Sequence, residues 1–191
     1  MKLLCNLRGT SGSGKTTVPK TFMERYGHTD IRNELGKPIG VKVVVPEWNH
    51  PVFFIGKYTN VCGGLDTVRT QVEAGQMSIE AHQHGHVICE GLLASGVGPD
   101  GALPAAIIRH AWPNARFLFL DTPLEVCIER VKGRRAARGN DKEFNPQNTE
   151  SKHKQVHRSY ELLKEYSPIW IEHMKAFDQV FSIIQEHDRR E

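Results

Sequence analysis

One stretch near the start of the chain decides how the rest is interpreted: Gly9-Thr10-Ser11-Gly12-Ser13-Gly14-Lys15-Thr16, a full match to the pattern G-x-x-x-x-G-K-[ST]. The mostly apolar run 2–8 before it predicts a buried strand, and residues 16–26 after it predict a helix that Gly27 ends. A glycine-rich turn between a strand and a helix directs several backbone N–H groups at one anion, beside the positive end of the helix dipole. The motif therefore predicts a phosphate-binding loop.

The residue types inside this loop predict separate tasks. The glycines let the backbone curl around phosphate oxygens, Lys15 neutralises charge on the β- and γ-phosphates as a catalytic residue, and the Thr16 hydroxyl ligates magnesium. The predicted nucleotide-binding residues are Gly9, Thr10, Ser11, Gly12, Ser13, Gly14, Lys15, Thr16, Thr17 and Arg130.

Outward from the loop, the chain predicts strands and helices in alternation. Apolar runs at 87–89 and 117–120 predict buried central strands, and 180–184 predicts a last strand. Helices are predicted at 68–79, 105–112, 124–138 and 149–166. This alternation predicts an α/β fold in which a parallel sheet has helices on both faces and binds its ligands at the carboxyl ends of the strands.

Two β-branched and aromatic runs, 41–45 and 52–55, predict a β-hairpin insertion or two linked strands with a tip at 46–51. The aromatic residues around this tip have two interpretations, either stacking on a base or ordinary core and rim packing. They are Trp48, His50 and Tyr58. The apolar side of the helix that follows is predicted at Val68, Val72, Gly75 and Ile79.

Acidic residues end two of the predicted strands. Glu90 stands where an acid of the Walker B type joins a magnesium shell, and we predict it as a metal residue; the alternative is a carboxylate in solvent. Asp121 competes for this role, but Asp121-Thr122-Pro123 also suits a helix N-cap, and the sequence favours the cap.

A cluster of basic residues lies on the helix after Asp121: Arg130, Lys132, Arg134, Arg135 and Arg138. Arginines that close over a transferring phosphoryl group stabilise the charge on its equatorial oxygens. We therefore predict an arginine-rich lid at roughly 130–148, with Arg134 and Arg135 as catalytic residues. The alternative is a solvated basic helix end, which the helix dipole also favours.

Asp66 and Arg69 follow Gly63-Gly64-Leu65 at the predicted head of a helix, three residues apart and therefore on one face. The carboxylate would accept the proton of an attacking hydroxyl, and the arginine would hold a phosphate or a base. The alternative is an N-cap beside a surface arginine.

The histidines His82, His84 and His86 predict a polar loop rather than a metal site. Cys62 is predicted to be a packed thiol, since no local base is evident that would make it a nucleophile.

Composition narrows the class of protein further. The 191 residues predict a single domain, 1–191, and no apolar run reaches the about 20 residues of a membrane span. Four cysteines without C-x-x-C spacing indicate neither a disulfide framework nor a zinc site, and favour a reducing cytoplasm. The formal net charge of +3 permits an acidic partner without demanding one.

The order of phosphate-binding loop, strand-ending acid, DTPLEVCIER helix and arginine lid resembles the nucleotide and nucleoside kinase branch of P-loop proteins. The stretches 8–17, 56–67 and 88–91 resemble, more specifically, the bacteriophage kinases that phosphorylate 5-hydroxymethyluracil within DNA. This resemblance implies a kinase-like P-loop NTPase fold, use of ATP and Mg²⁺, a 5-phosphomethyluracil product and action in the host cytoplasm.

By analogy with polynucleotide kinases, the resemblance implies that Asp66 is the general base, with Tyr58, Asp66 and Arg69 binding the substrate. Asp30 with Arg32 is a rival pair. A basic tract from Lys152 to Arg158 suits a DNA backbone as the partner.

Two alternatives stay open at the level of sequence. One is a kinase for a free nucleoside, nucleotide or other small metabolite, which would need no DNA surface. The other is an NTP-driven switch, which the missing N-K-x-D sequence and the tight arginine cluster disfavour.

Overall fold

Strands and helices alternate throughout the residues that the computed structural model describes, 1–58, 63–91, 98–139 and 143–190. The strands are β1 (Leu4–Arg8), β2 (Thr29–Arg32), β3 (Pro38–Val43), β4 (Val52–Ile55), β5 (His86–Glu90), β6 (Ala115–Asp121) and β7 (Ile169–Glu172). The helices are α1 (Thr17–Tyr26), α2 (Gln71–His82), α3 (Ala102–Ala111), α4 (Leu124–Ala136), α5 (Gln147–Leu162) and α6 (Ala176–Asp188). Among these, no helix is long and apolar enough to cross a membrane.

All seven strands form one sheet in the order β2-β3-β4-β5-β1-β6-β7. The five strands from β4 to β7 in this order are parallel, whereas β3 runs antiparallel to both β4 and β2. The predicted α/β fold and the hairpin insertion are therefore confirmed. Strand β1 lies where the chain switches from one half of the sheet to the other, and ligands bind at the carboxyl end of such a strand.

Helices cover both faces of the sheet, as the alternation predicts. One face packs Leu3, Cys5 and Leu7 against α1 and α6, and the other packs Leu4 and Phe117 against α2, α3 and α5. This alternation of neighbouring side chains follows from the period of two in a strand. Because both faces are buried, the central strands are mostly apolar, although β1 also buries the polar side chains of Asn6 and Arg8.

The predicted last strand at 180–184 is wrong, because these residues lie within α6. The buried positions Ala176, Val180 and Ile184 are spaced by four, which is the period of a helix that packs one face on the sheet. A short apolar run does not separate the two structures. The last strand is β7, which begins directly after Pro168.

The predicted apolar side of α2 is also partly wrong. Val68 precedes the helix, which begins after the cap residue Thr70, and Val72 is exposed. Small residues instead face the protein interior: Ala74, Gly75 and Ser78 are buried. A Cβ on Gly75 would lie 3.3 Å from the Cβ of Ala106, so close packing against α3 determines this face.

The histidines at 82–86 do not form one polar loop. His82 ends α2, whereas His86 begins β5 and is fully buried. The His86 Nδ1 accepts the N–H of Leu3 at 3.0 Å, and its Nε2 lies 3.0 Å from Asp188 Oδ1. Burial lowers the pKa of His86, so we take the ring as neutral with its proton on Nε2.

Asp188 also accepts from His50 Nδ1 at 2.9 Å and from the N–H of Asn49 at 2.6 Å. His50, His86 and Asp188 have the donor atoms of a metal site, but both ring nitrogens of His86 are already engaged. Through its hydrogen bonds, the cluster therefore connects the end of α6 to the 46–51 loop and to the sheet.

We expect Asp188→Ala to lower the free energy of unfolding by about 2–4 kcal/mol, since buried donors lose their shared acceptor. Asp178→Ala is the matched control, because Asp178 is exposed on the same helix. Chemical denaturation of both variants measures the difference. Equal losses of unfolding free energy in the two variants would contradict this role of Asp188.

Candidate functional site

The loop from Gly9 to Thr16 connects β1 to α1, as the sequence predicts. Its tight curl depends on Gly12, whose φ is +85°, and a Cβ there would lie 2.5 Å from the carbonyl oxygen of Cys127. The N–H of Ser13 donates to the Thr10 carbonyl at 3.0 Å, and Ser13's own carbonyl accepts from the Thr122 hydroxyl at 3.0 Å. The loop is therefore shaped by its own backbone and by the start of α4.

Lys15 lies folded over this loop. Its Nζ donates to the carbonyl oxygens of Gly9 at 2.7 Å and Thr10 at 3.0 Å. Burial lowers the pKa of Lys15, while the carboxylates of Glu90 and Asp66 oppose that shift. A half-buried ammonium whose hydrogen bonds go to neutral carbonyl oxygens is well placed to bind an anion.

Glu90 ends β5 beside β1, where it pairs in register with Leu7. It is 1% exposed, so the alternative of a carboxylate in solvent is wrong. Burial raises the pKa of Glu90 to about 7; nearby Asp66 raises it further, and the charge of Lys15 opposes the shift. The Thr16 hydroxyl donates to Glu90 Oε1 at 3.2 Å, which pairs two oxygen ligands of the kind that Mg²⁺ prefers.

Asp66 lies on a short 3-10 turn, Leu65–Thr67, and its side chain is exposed. The expectation that Asp66 and Arg69 share a helix face is wrong, because α2 begins only at Gln71 and is capped by Thr70. A Cβ on Gly91 would lie 3.0 Å from Asp66 Oδ1, which places this carboxylate directly after Glu90. Arg69 is exposed beyond the turn.

Tyr58 lies in the same region, since a Cβ on Gly63 would be 2.8 Å from its ring. Gly64 donates its N–H to the Lys57 carbonyl at 3.0 Å, and burial raises the pKa of Tyr58, as do Glu90 and Asp66. Cys62 lies outside the described residues. Trp48 is not a base-stacking residue, because it is 8% exposed and packs in the core against Phe22 and Phe181.

Gly64 keeps Glu90 in position, since a Cβ there would lie 2.4 Å from the Glu90 carbonyl oxygen and 2.6 Å from Oε1. We expect Gly64→Ala to lower turnover by about 10²-fold by displacing Glu90. Gly27→Ala is the matched control: Gly27 also has positive φ, +73°, but no atom lies within 4 Å of its added Cβ. Backbone strain alone, about 1–3 kcal/mol, would affect both variants. Similar turnover in the two would contradict the role of Gly64.

Helix α4 packs on the loop and carries the predicted lid arginines. Arg130 donates to the carbonyls of Gly12 at 3.3 Å and Ser13 at 3.5 Å. Arg134 lies one turn further along the same face, and the Arg135 guanidinium lies 5.6 Å from the Phe144 ring centre. Of the predicted lid at 130–148, the part up to Ala136 belongs to α4, and residues 140–142 lie outside the described residues. That this lid closes over a bound phosphate stays a prediction.

Asp121 is exposed and does not cap α4, whose first turn begins after Pro123 without a side-chain cap. The predicted N-cap is therefore wrong. Asp30 forms an ion pair with Arg32 at 2.7 Å on the edge strand β2, four strands from β1.

Two further residues reach the loop from α5. Lys152 Nζ donates to Ser11 Oγ at 3.4 Å, and His153 Nδ1 lies 3.3 Å from Thr10 Oγ1. The sequence places Lys152 and His153 in a tract facing DNA, whereas the fold turns both toward the loop. No local motif signals such a contact, because more than 140 residues separate the partners.

Comparisons with known proteins agree on one family. The family described as "5-hmdU DNA kinase" matches residues 3–176. A protein of that name from Pseudomonas phage PaMx11 is 33% identical over 166 residues, covering 79% of each chain. "5-hmdU DNA kinase 1" of Salmonella phage ViI is 30% identical over 131 residues, covering 67% of this chain and 57% of its own.

A third relative, the "5-hmdU DNA kinase" of Pseudomonas phage M6, is 32% identical over 146 residues, covering 68% of this chain and 70% of its own. Among solved structures, an uncharacterized protein from Eubacterium ventriosum covers 97% of this chain and 99% of its own at a TM-score of 0.42 and 12% identity. That likeness is too distant to indicate a function.

Proposed function

Because the chain belongs to the 5-hmdU DNA kinase family, which matches residues 3–176, we propose that it transfers the γ-phosphoryl group of ATP to 5-hydroxymethyluracil within DNA. The acceptor is the hydroxymethyl oxygen, and the products are 5-phosphomethyluracil and ADP. Neither a free-metabolite kinase nor an NTP-driven switch is favoured by the family. The phage origin of the relatives supports action in the host cytoplasm.

The reaction exchanges one phosphorus–oxygen bond for another. The hydroxymethyl oxygen bonds to the γ-phosphorus, the bond to the bridging oxygen of ADP breaks, and the hydroxyl proton passes to a base. Asp66 suits that base, because its carboxylate is exposed and lies beside Gly91, directly after Glu90. Glu90 suits it less, since its carboxyl is buried and bonded to Thr16.

Positive groups surround the place where the γ-phosphoryl group would lie. Lys15 would leave its carbonyl partners for phosphate oxygens, and Arg130 holds α4 against the loop. Arg134 and Arg135 would stabilise the charge that develops during transfer. Lys152 extends this positive edge from α5.

Thr16 and Glu90 would hold Mg²⁺, since their oxygens already lie 3.2 Å apart. Burial raises the pKa of the Glu90 carboxyl to about 7, and a bound cation would offset that cost of desolvation. When bound, the ion would offset charge on the phosphates.

Arg134→Ala and Arg135→Ala are each expected to lower turnover by about 10²-fold while changing ATP affinity far less, because a group acting on the transition state affects kcat most. Arg109→Ala is the control, an exposed arginine near the end of α3. Steady-state kinetics and ATP titration separate the two effects. A fall in affinity alone would reduce both arginines to ordinary nucleotide contacts.

Label transfer from γ-labelled ATP with magnesium tests the proposed function. Duplexes containing thymine, 5-hydroxymethylcytosine or 5-hydroxymethyluracil are compared with free nucleosides and nucleotides. We expect label only in 5-hydroxymethyluracil DNA. Label in a free nucleoside or nucleotide, with every duplex blank, would refute the DNA substrate while leaving a kinase.

A further inference from the structure

A cleft of about 340 Å³ opens beside the candidate site. Its walls come from α1, from the β2–β3 hairpin and from the segment after β4, and include Lys20, Met23, Asp30, Val41, Lys57 and Tyr58. This volume is at the lower end of small-ligand pockets, about 300–1,000 Å³. The cleft therefore has room for one nucleotide-sized group rather than for stacked base pairs.

The cleft leads to the catalytic groups. Lys20 lies one helical turn after Thr16 on α1, and its charge acts on Glu90. A Cβ on Gly63 would lie 2.8 Å from the Tyr58 ring, and a Cβ on the next residue, Gly64, would lie 2.6 Å from Glu90 Oε1, so Tyr58 and Glu90 flank the same two glycines. A group seated in the cleft would therefore lie next to the phosphate-binding loop.

The Tyr58 hydroxyl is buried, and it finds no hydrogen-bond partner within the described parts of the chain. Buried polar groups are normally satisfied, and an exception points to a missing ligand or water. Because Tyr58 lines the cleft, a polar ligand there would supply that partner.

The lining matches the edge of a uracil ring. Uracil presents one N–H donor between two carbonyl acceptors. The cleft offers the donors Lys20 and Lys57 and the carboxylate of Asp30, whose Oδ2 is paired with Arg32 and whose Oδ1 would accept the N–H. Met23 and Val41 supply apolar contacts for the ring faces. The cleft thus has the polar and apolar groups that a single pyrimidine needs.

In a duplex, the target base is stacked and its Watson–Crick edge is paired, so it cannot enter a recess of this size. Resting on the proposed function, we propose that the target 5-hydroxymethyluracil rotates out of the helix and enters the Lys20–Tyr58 cleft as an everted nucleotide. Its hydroxymethyl group then meets Asp66 and the phosphate-binding loop. Eversion must break the base pair, so weaker pairing should help the reaction.

The first test uses the wild-type protein. A 5-hydroxymethyluracil duplex with 2-aminopurine beside the target is titrated with protein and a non-hydrolysable ATP analogue. We expect a saturable fluorescence rise, because eversion unstacks the neighbour. We also expect kcat/KM to rise about tenfold when the target faces guanine instead of adenine. A flat signal with equal rates on both duplexes would overturn eversion.

A second test fills the cleft. Met23→Trp should lower transfer to duplex DNA at least about tenfold while ATP-analogue binding is retained. Leu35→Trp is the control, because it places the same side chain on an exposed residue at the turn of the β2–β3 hairpin. Unchanged transfer by Met23→Trp would overturn the site. Failure of the proposed function is distinguishable, because the wild-type protein would then label no 5-hydroxymethyluracil DNA, single-stranded or duplex.

Discussion

Lys15→Ala is expected to lower phosphoryl transfer by about 10³-fold or more, because Lys15 is the one cationic side chain in the stretch 9–16 that can offset charge on the β- and γ-phosphates. The fold should survive the change. Lys15 Nζ donates to the carbonyl oxygens of Gly9 and Thr10, both in its own loop. Burial lowers the pKa of Lys15, which means that burying its charge costs free energy that the alanine variant does not incur.

The comparison needs a lysine of the same charge far from the loop. Lys164 is exposed and forms an ion pair with Glu161. It follows the C-terminal end of α5, whereas Lys152, which contacts the loop, lies in the first half of that helix. Lys164→Ala should retain wild-type transfer. Label transfer and thermal unfolding are measured for both variants. Near-normal transfer by a folded Lys15→Ala variant would remove the phosphate-loop assignment.

Asp66→Asn is expected to lower turnover by about 10²–10⁴-fold, because the amide keeps the shape of the side chain but cannot accept the hydroxyl proton. ATP affinity should change little, since Asp66 belongs to the acceptor side of the site. Single-turnover transfer at saturating ATP measures the chemical step directly.

Asp30→Asn and Glu90→Gln identify the base among the rivals. Asp30→Asn should slow transfer less than Asp66→Asn, since Asp30 is already paired with Arg32 on the edge strand. Glu90→Gln should weaken the magnesium dependence as well as the rate, because its oxygen faces Thr16. A loss below tenfold for Asp66→Asn would move the base to Asp30 or Glu90.

The sequence predicted the fold well at those positions where the local residue types are compatible with a single structure. The glycine spacing before Lys15 and the mostly apolar central strands each allow few conformations, so the loop, the parallel sheet and the hairpin are confirmed. The prediction failed at 180–184, where a short apolar run fits a strand as well as a helix. It also failed at Val72, where the sequence did not show which face of the helix is buried. Packing against the sheet and α3 decided those cases.

The sequence by itself determined the phosphate-binding loop, since glycine conformations and the charge of Lys15 act within a few residues of one another. Only the tertiary structure decided which residues from distant parts of the chain contact this loop. The pairing of β5 with β1 places Glu90 at Thr16, and the packing of α5 places Lys152 at Ser11. The first contact joins residues 74 positions apart in the chain, and the second joins residues 141 positions apart. The burial of Glu90 in this packing raises its pKa to about 7. The strand-ending position of Glu90 predicts a metal residue, but its distance to Thr16, its raised pKa and the contact of Lys152 with Ser11 all depend on the packing of the whole sheet.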